Sequence, residues 1–275
     1  MSMPAERTGG GNPERTIDLL WHQDADTTPT RGPRRRLDVG TIAAAAVALA
    51  DAEGVAAVTM RTLASRLGLA SAMALYTYVP AKAELVDLMV DTCFAAFALD
   101  VTAAPARLAD RIRAVADANR ALYRQHPWLA DVSTDRPPLG PGQLRKYERE
   151  LAALDGLGLS DHEMDLTLTL VITFVRAHAT TAAAATSADD EAAWWAAAGP
   201  ALARHVTAGD YPLSSRVGTT AGEAQGRAHD PDLAYTFGLE RIADGVQALR
   251  RRTREARSDR SRDEREADPD RAQRR

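Results

Sequence analysis

Between Thr59 and Lys82 the chain reads TMRTLASRLGLASAMALYTYVPAK, and this segment restricts the possible folds more than any other. Thr59 supplies a side chain that can accept the orphan N–H groups of a helix start. Leu63, Ala64 and Leu67 then recur at helical spacing until Gly68 ends the pattern. Ser71 can cap a second short helix, predicted over 71–79, and Pro80 is placed to begin the turn before a further helix carrying Leu85, Leu88 and Met89. Two helices this short, joined by a glycine turn, have the physics of a helix-turn-helix: one braces against a phosphate backbone and the next is offered to the major groove.

The surroundings complete a compact head over residues 38–95. Asp38 can cap a helix whose apolar positions Val39, Ile42, Ala43, Ala46, Leu49 and Ala50 form one stripe, closed by Gly54. On a helical wheel for 71–79, Leu75 and Val79 fall together and face the core, leaving Met73, Ala74 and Thr77 outward as base-reading candidates. Tyr76 and Tyr78 flank that face, where a phenol can donate to a phosphate oxygen, and Lys82 adds a mobile positive charge at the next helix start. Residues 34–82 hold six basic side chains (Arg34, Arg35, Arg36, Arg61, Arg66, Lys82) against three acidic ones (Asp38, Asp51, Glu53). This region is therefore net +3, while the whole chain is −4.

The rest is expected to be all-helical. Apolar residues make up 45% of the chain but aromatic residues only 5%, an alanine-dominated mixture that favours helices in close contact over sheets. Helices are predicted at 106–123, 141–157, 161–185, 190–207 and 232–252. The alternation of Leu166, Leu168 and Leu170 imitates a strand, but no second strand-like segment exists to pair with it, so a helix apolar nearly all round and deeply buried is expected there.

Residues 1–37, with Gly9-Gly10-Gly11, Thr27-Thr28-Pro29, Gly32-Pro33 and three consecutive arginines, have the profile of a flexible basic arm. Its apolar cluster Ile17, Leu19, Leu20 and Trp21 either docks on the body or sits by chance in a disordered segment. Residues 253–275 are dominated by Arg, Asp and Glu, the composition of a solvated, disordered tail.

The lone Cys93 excludes an intramolecular disulfide and fits a reducing cytoplasm, with the thiol expected buried. No apolar run long enough for a membrane span and no signal-peptide core is apparent, so a soluble cytoplasmic protein is expected. Asp161, His162, Glu163 and Asp165 are metal-like in type, but neighbouring helix positions point apart, so solvation of a helix start is the expected role. No nucleophile elbow, zinc-protease, P-loop or dinucleotide motif is present, so neither an enzyme nor a bound metal or cofactor is expected.

The alanine-rich helix ending Ala-Asp-Ala-Glu-Gly, then Thr-Met-Arg-Thr-Leu-Ala, then Leu-Tyr-Thr-Tyr-Val and a lysine, resembles the DNA-binding domain of the TetR family over residues 38–95. The resemblance implies that Thr59, Arg61, Tyr76 and Lys82 touch DNA. The run from Gly68 to Leu75-Tyr76 is one residue longer than the family pattern, which leaves the first residue of the recognition helix open.

Further on, His126-Pro127-Trp128, Leu139-Gly140-Pro141 and Trp194-Trp195 are similar to the subgroup sharing the tetracycline repressor's type of C-terminal domain. That similarity implies an effector-binding and dimerisation domain over 96–252, with a two-fold four-helix interface built from helices 161–185 and 232–252, where alanine-rich faces such as 182–185 permit close approach. His126, Trp128, Phe174 and His178 are the candidates there for contact with a small-molecule effector. The expected function is a ligand-responsive homodimeric repressor reading a palindromic operator. The alternatives are an activator of the same family, or a helical small-molecule-binding or catalytic protein whose helix-turn-helix is vestigial.

Overall fold

The computed structural model describes residues 6–22, 37–100, 107–184, 188–206, 209–225 and 230–267, and every regular element among them is helical. The head starts with α2 (Val39–Glu53), whose N-terminus is capped as anticipated: the Asp38 carboxylate accepts from Thr41 N at 2.6 Å. Ile42, Ala43, Ala46, Leu49 and Ala50 are its buried stripe. A 3-10 turn at Val55–Ala57 leads to α3 (Met60–Arg66), then α4 (Met73–Tyr76) and α5 (Lys82–Ala95). Buried Leu63, Leu75, Val79, Leu85, Leu88 and Met89 fill the space between them.

The body comprises α6 (Leu108–Gln125), a 3-10 turn at Pro127–Ala130, α7 (Pro141–Leu154), α8 (Asp161–Ala184) and α11 (Pro231–Ala267). Two further helices, α9 (Ala188–Ala203) and α10 (Pro212–Gln225), present Trp194, Trp195, Leu213 and Val217 at the surface. Head and body interlock through α5, which packs on both α2 and α7. The Asp91 carboxylate on α5 accepts from Gly142 N (3.1 Å) and Gln143 N (2.8 Å), closing the electropositive start of α7.

Several expectations need correction. Across residues 6–22 the supposedly flexible arm is ordered: α1 (Pro13–Trp21), capped by Asn12, packs on α5 and buries Leu20, while Trp21 donates to the Leu139 carbonyl at 2.8 Å. Its later portion, including the three arginines, lies outside the described residues. At the other end α11 continues to Ala267, well into the supposed tail. The mostly charged stretch from Thr253 to Ala267 holds no Gly or Pro to stop the helix. No signal announced α10, because Ser, Gly and Thr dominate it and are weak helix formers.

Helix α8 is a helix and not a strand, but it is not buried all round: Leu168, Val171 and Val175 are enclosed, while Leu166 and Leu170 are 52% and 49% exposed. Over Asp161–Ala183 it is long and apolar enough to cross a membrane by length and composition. Its inner side packs against α6, α7 and α11.

Candidate functional site

The outward surface of the head is built by local capping. Thr59 and Thr62 form a reciprocal box, the Thr59 hydroxyl accepting from Thr62 N (3.1 Å) and the Thr62 hydroxyl from Thr59 N (2.9 Å). At its far end α3 closes with Gly68 N bonded to Ser65 O and Leu69 N to Ala64 O, with Gly68 at φ +69°. This is the 6→1 and 5→2 pattern of a glycine-terminated helix, and it throws the chain sharply toward α4.

Helix α4 is shorter than predicted. It starts at Met73 after Ala72, so Ser71 lies in the turn and is not the side-chain cap expected of it. Leu75 and Val79 are fully buried, as their spacing requires, and they fix the helix rotation. Met73 (72% exposed) and Tyr76 (42%) project outward with Ala74 and Thr77. Tyr78, by contrast, is half-buried against the core. Arg61 is exposed on α3, and Lys82 is the first residue of α5. The free side of this pair thus offers a methionine, small polar groups, a phenol and cations, suited to base edges and phosphates.

In the body, a cavity of about 510 Å³ opens between α5, α6, α7, α8 and the loop around Ser133–Pro137. Phe94, Leu168 and Ile172 are among its apolar walls, but most of its lining is polar, Lys146, Glu150, Tyr147, Asp165, Thr173 and Arg176 included. Glu150, itself buried, accepts from Lys146 Nζ at 2.5 Å and from Asn119 Nδ2 at 2.7 Å. Burial pulls the Lys146 ammonium down from the ordinary lysine range, and Glu150 opposes that pull. Its Nζ also lies 4.8 Å from the Phe97 ring centre. The Tyr123 phenol, likewise buried, is pushed up to about 12.

None of the four effector-contact candidates taken from the sequence lines this cavity. His126 and Trp128 are buried at the junction of head and body, where both bond the Asp51 carboxylate on α2 (His126 Nδ1 to Oδ1 and Trp128 Nε1 to Oδ1, each 2.8 Å). Phe174 and His178 pack on Tyr235 of α11, ring centres 5.8 and 4.9 Å away. His178 borders a second cavity of about 330 Å³ beside Arg120 and Asp232, which form an ion pair. The wall residues missed on the sequence, Lys146 and Glu150, stand four apart and read there as an ordinary solvated helix pair.

Between cavity and head runs a physical connection. Arg176, on the cavity wall, donates from Nε to the Ala130 carbonyl (3.1 Å) and from one terminal nitrogen to the Val132 carbonyl (2.6 Å). Those carbonyls follow Trp128, which holds Asp51.

Buried Leu75 and Val79 leave one side of α4 unused by the protein's own core, and a separate open cavity lies among α5, α6, α7 and α8; such a division is that of a helix-turn-helix DNA-binding regulator. Comparison with known proteins makes the assignment specific. Residues 103–250 match the model of the tetracyclin repressor-like C-terminal domain. The chain is 34% identical over 255 residues, 89% of each protein, to the HTH-type transcriptional repressor DrrR1 of Streptomyces coeruleorubidus. Apo ActR from Streptomyces coelicolor superposes with a TM-score of 0.65 at 26% identity, over 82% of this chain and all of that one. ActR in complex with actinorhodin gives 0.64 at 27%, over 78% and 99%. The chain belongs to the TetR family of transcriptional regulators.

Proposed function

We propose that this protein is a ligand-responsive homodimeric repressor, soluble in the cytoplasm and without catalytic activity. Two heads (38–95) read a palindromic operator whose half-sites lie about one helical turn apart, and a body (96–252) senses a small molecule and dimerises. The observation that carries this reading is the exposed side of α4, flanked by Arg61 and Lys82 and held outward by fully buried Leu75 and Val79. In it Arg61, Lys82, Thr59 and Tyr76 contact the phosphate backbone, while Met73, Ala74 and Thr77 meet base edges and Ser71 stands at the edge of the contact. The half-buried Tyr78 contributes support to that face.

Kinship with DrrR1, a named repressor, favours repression over activation. ActR has been crystallised with actinorhodin and with (S)-DNPA, and the 510 Å³ cavity, which sets many hydrogen-bonding side chains beside the apolar Phe94, Leu168 and Ile172, supports a site for a polar small molecule here. Exposed Leu166 and Leu170 on α8, with Phe237 and Leu249 on α11, supply the apolar strip for a two-fold interface. A ligand in the cavity needs only about 1–3 kcal/mol of coupling to the head to release DNA, and the route through Arg176, Trp128 and Asp51 is available to carry it.

The test is fluorescence anisotropy on the chain's own upstream region at several salt concentrations. Arg61→Ala should weaken binding to every sequence and flatten the salt dependence by about one unit of slope, whereas Met73→Ala should change which half-site is preferred. Salt-insensitive binding, or unchanged affinity in Arg61→Ala and Lys82→Ala alike, would remove this function.

A further inference from the structure

The N-terminal segment touches the one cation of the DNA face that begins a helix. Glu6 Oε1 lies 2.6 Å from Lys82 Nζ, both side chains being largely shielded. Around that pair the segment is fastened along its length. Ser133 N donates to Glu6 O (2.9 Å) and Thr8 N to Ser133 O (3.0 Å), which makes a short backbone bridge. Gly9 N donates to the Asp87 carboxylate (2.9 Å), Asn12 N to Glu84 Oε1 (3.4 Å), and α1 then lies on α5.

The glycines that read as a flexible linker are what allow this approach. Gly9 sits at φ +65°, and a Cβ there would come within 2.6 Å of Arg136 Cβ; one on Gly11 would come within 2.7 Å of the Glu84 carboxyl. At Gly9 both the backbone conformation and the Arg136 Cβ oppose any side chain, so one there would push the segment off, whereas at Gly11 the Glu84 carboxyl would have to give way.

We propose that residues 6–21 are a built-in brake on operator binding, in which Glu6 occupies Lys82 and competes with a DNA phosphate for it. This rests on the assignment of Lys82 to a phosphate made above. Two physical effects act together. The carboxylate satisfies the ammonium, and it also places a negative charge at the N-terminus of α5, where backbone N–H groups would otherwise favour a phosphate. DNA engagement then requires the pair to open, so the affinity of the full chain is lower than that of its unbraked form. Ser133, to which the brake is hydrogen-bonded, also lines the 510 Å³ cavity, so the fastening sits on the rim of the candidate effector site.

The experiment measures operator affinity and its salt slope for the full chain and five variants. Glu6→Gln keeps the shape and backbone bonds but removes the charge; it should tighten binding by about two- to fivefold, the range of a partly shielded ion pair, and steepen the slope by about one phosphate contact. Gly9→Ala, which strains the φ +65° turn and meets the Arg136 Cβ, displaces the segment without changing any charge and should act in the same direction. Glu14→Gln removes an equal charge from α1 away from Lys82 and should change nothing. In a Lys82→Ala background the effect of Glu6→Gln should vanish.

A Glu6→Gln chain with wild-type affinity and slope overturns the brake, and if Lys82→Ala still weakens binding, the operator-contact reading survives it. Lys82→Ala without effect overturns both. A gain from Glu6→Gln that persists in Lys82→Ala, or is matched by Glu14→Gln, shows general charge repulsion and overturns the specific contact. Should Gly9→Ala fail to fold, Glu6→Gln alone decides.

Discussion

The head and the body each hold a cluster of polar side chains, but they make it in opposite ways. In the head, local signals in a few residues of chain suffice: the Thr59–Thr62 box starts α3, Gly68 ends it, and Leu75 with Val79 rotates α4 so that Met73 faces out. Those side chains stay in water, so their charges cost nothing to hold. In the body the polar groups are withdrawn from water, and Lys146, Glu150 and Asn119 persist there only because each satisfies another. A solvated recognition surface tolerates substitution without unfolding, whereas a buried one ties ligand sensing to the stability of the whole domain.

Removing one member of the buried network should therefore break the comparison most severely. Glu150→Ala strands the Lys146 ammonium and should cost about 3–5 kcal/mol in urea unfolding, with most of that recovered in Lys146→Met/Glu150→Leu. A loss below about 1 kcal/mol would mean that the cavity hydrates the ammonium.

Next in size is Asp87, whose Oδ2 is buried without a partner near Glu84. Burial, reinforced by Glu84, raises its carboxyl from 3.8 to about 6. The folded chain holds this proton more tightly than the unfolded one, so stability is gained as pH falls from about 6 toward 3.8, and the penalty is fully present above 6. Asp87→Asn should raise stability at pH 7.5 by at most about 3 kcal/mol and by much less at pH 4.5. Equal gains at the two pH values would place the origin elsewhere.

The smallest effect belongs to the exposed head. Thr59→Ala removes one half of the capping box and should lower stability by about 1 kcal/mol, seen as a modest fall in melting temperature, while operator binding loses any contact Thr59 makes. A change several times larger would show that the head surface depends on tertiary burial as the body does.

How much could be read from the chain follows the same division. Helix starts at Asp38 and Thr59, the stop at Gly68 and the inward Leu75 and Val79 depend on neighbours a few positions away, and all are legible. The pair Lys146 and Glu150 was not, because four-residue spacing looks the same on a solvated helix and on a buried one. His126 and Trp128 drew notice as polar aromatics, but that their shared partner is Asp51, more than seventy positions earlier, could not be anticipated. Leu166 and Leu170 read as core residues, and only the placement of α6, α7 and α11 shows that they face outward.

The amino-acid order alone thus determined the helical class, the helix-turn-helix and which way its outer helix faces, since capping and short-range periodicity are local free energies. Tertiary structure alone decided that Gly9-Gly10-Gly11 is a close-fitting strap, that two charged groups of α7 are buried with Asn119, and that Asp51 joins head to body. Such features depend on long-range approach, where loop closure and desolvation set the outcome and no local pattern records it.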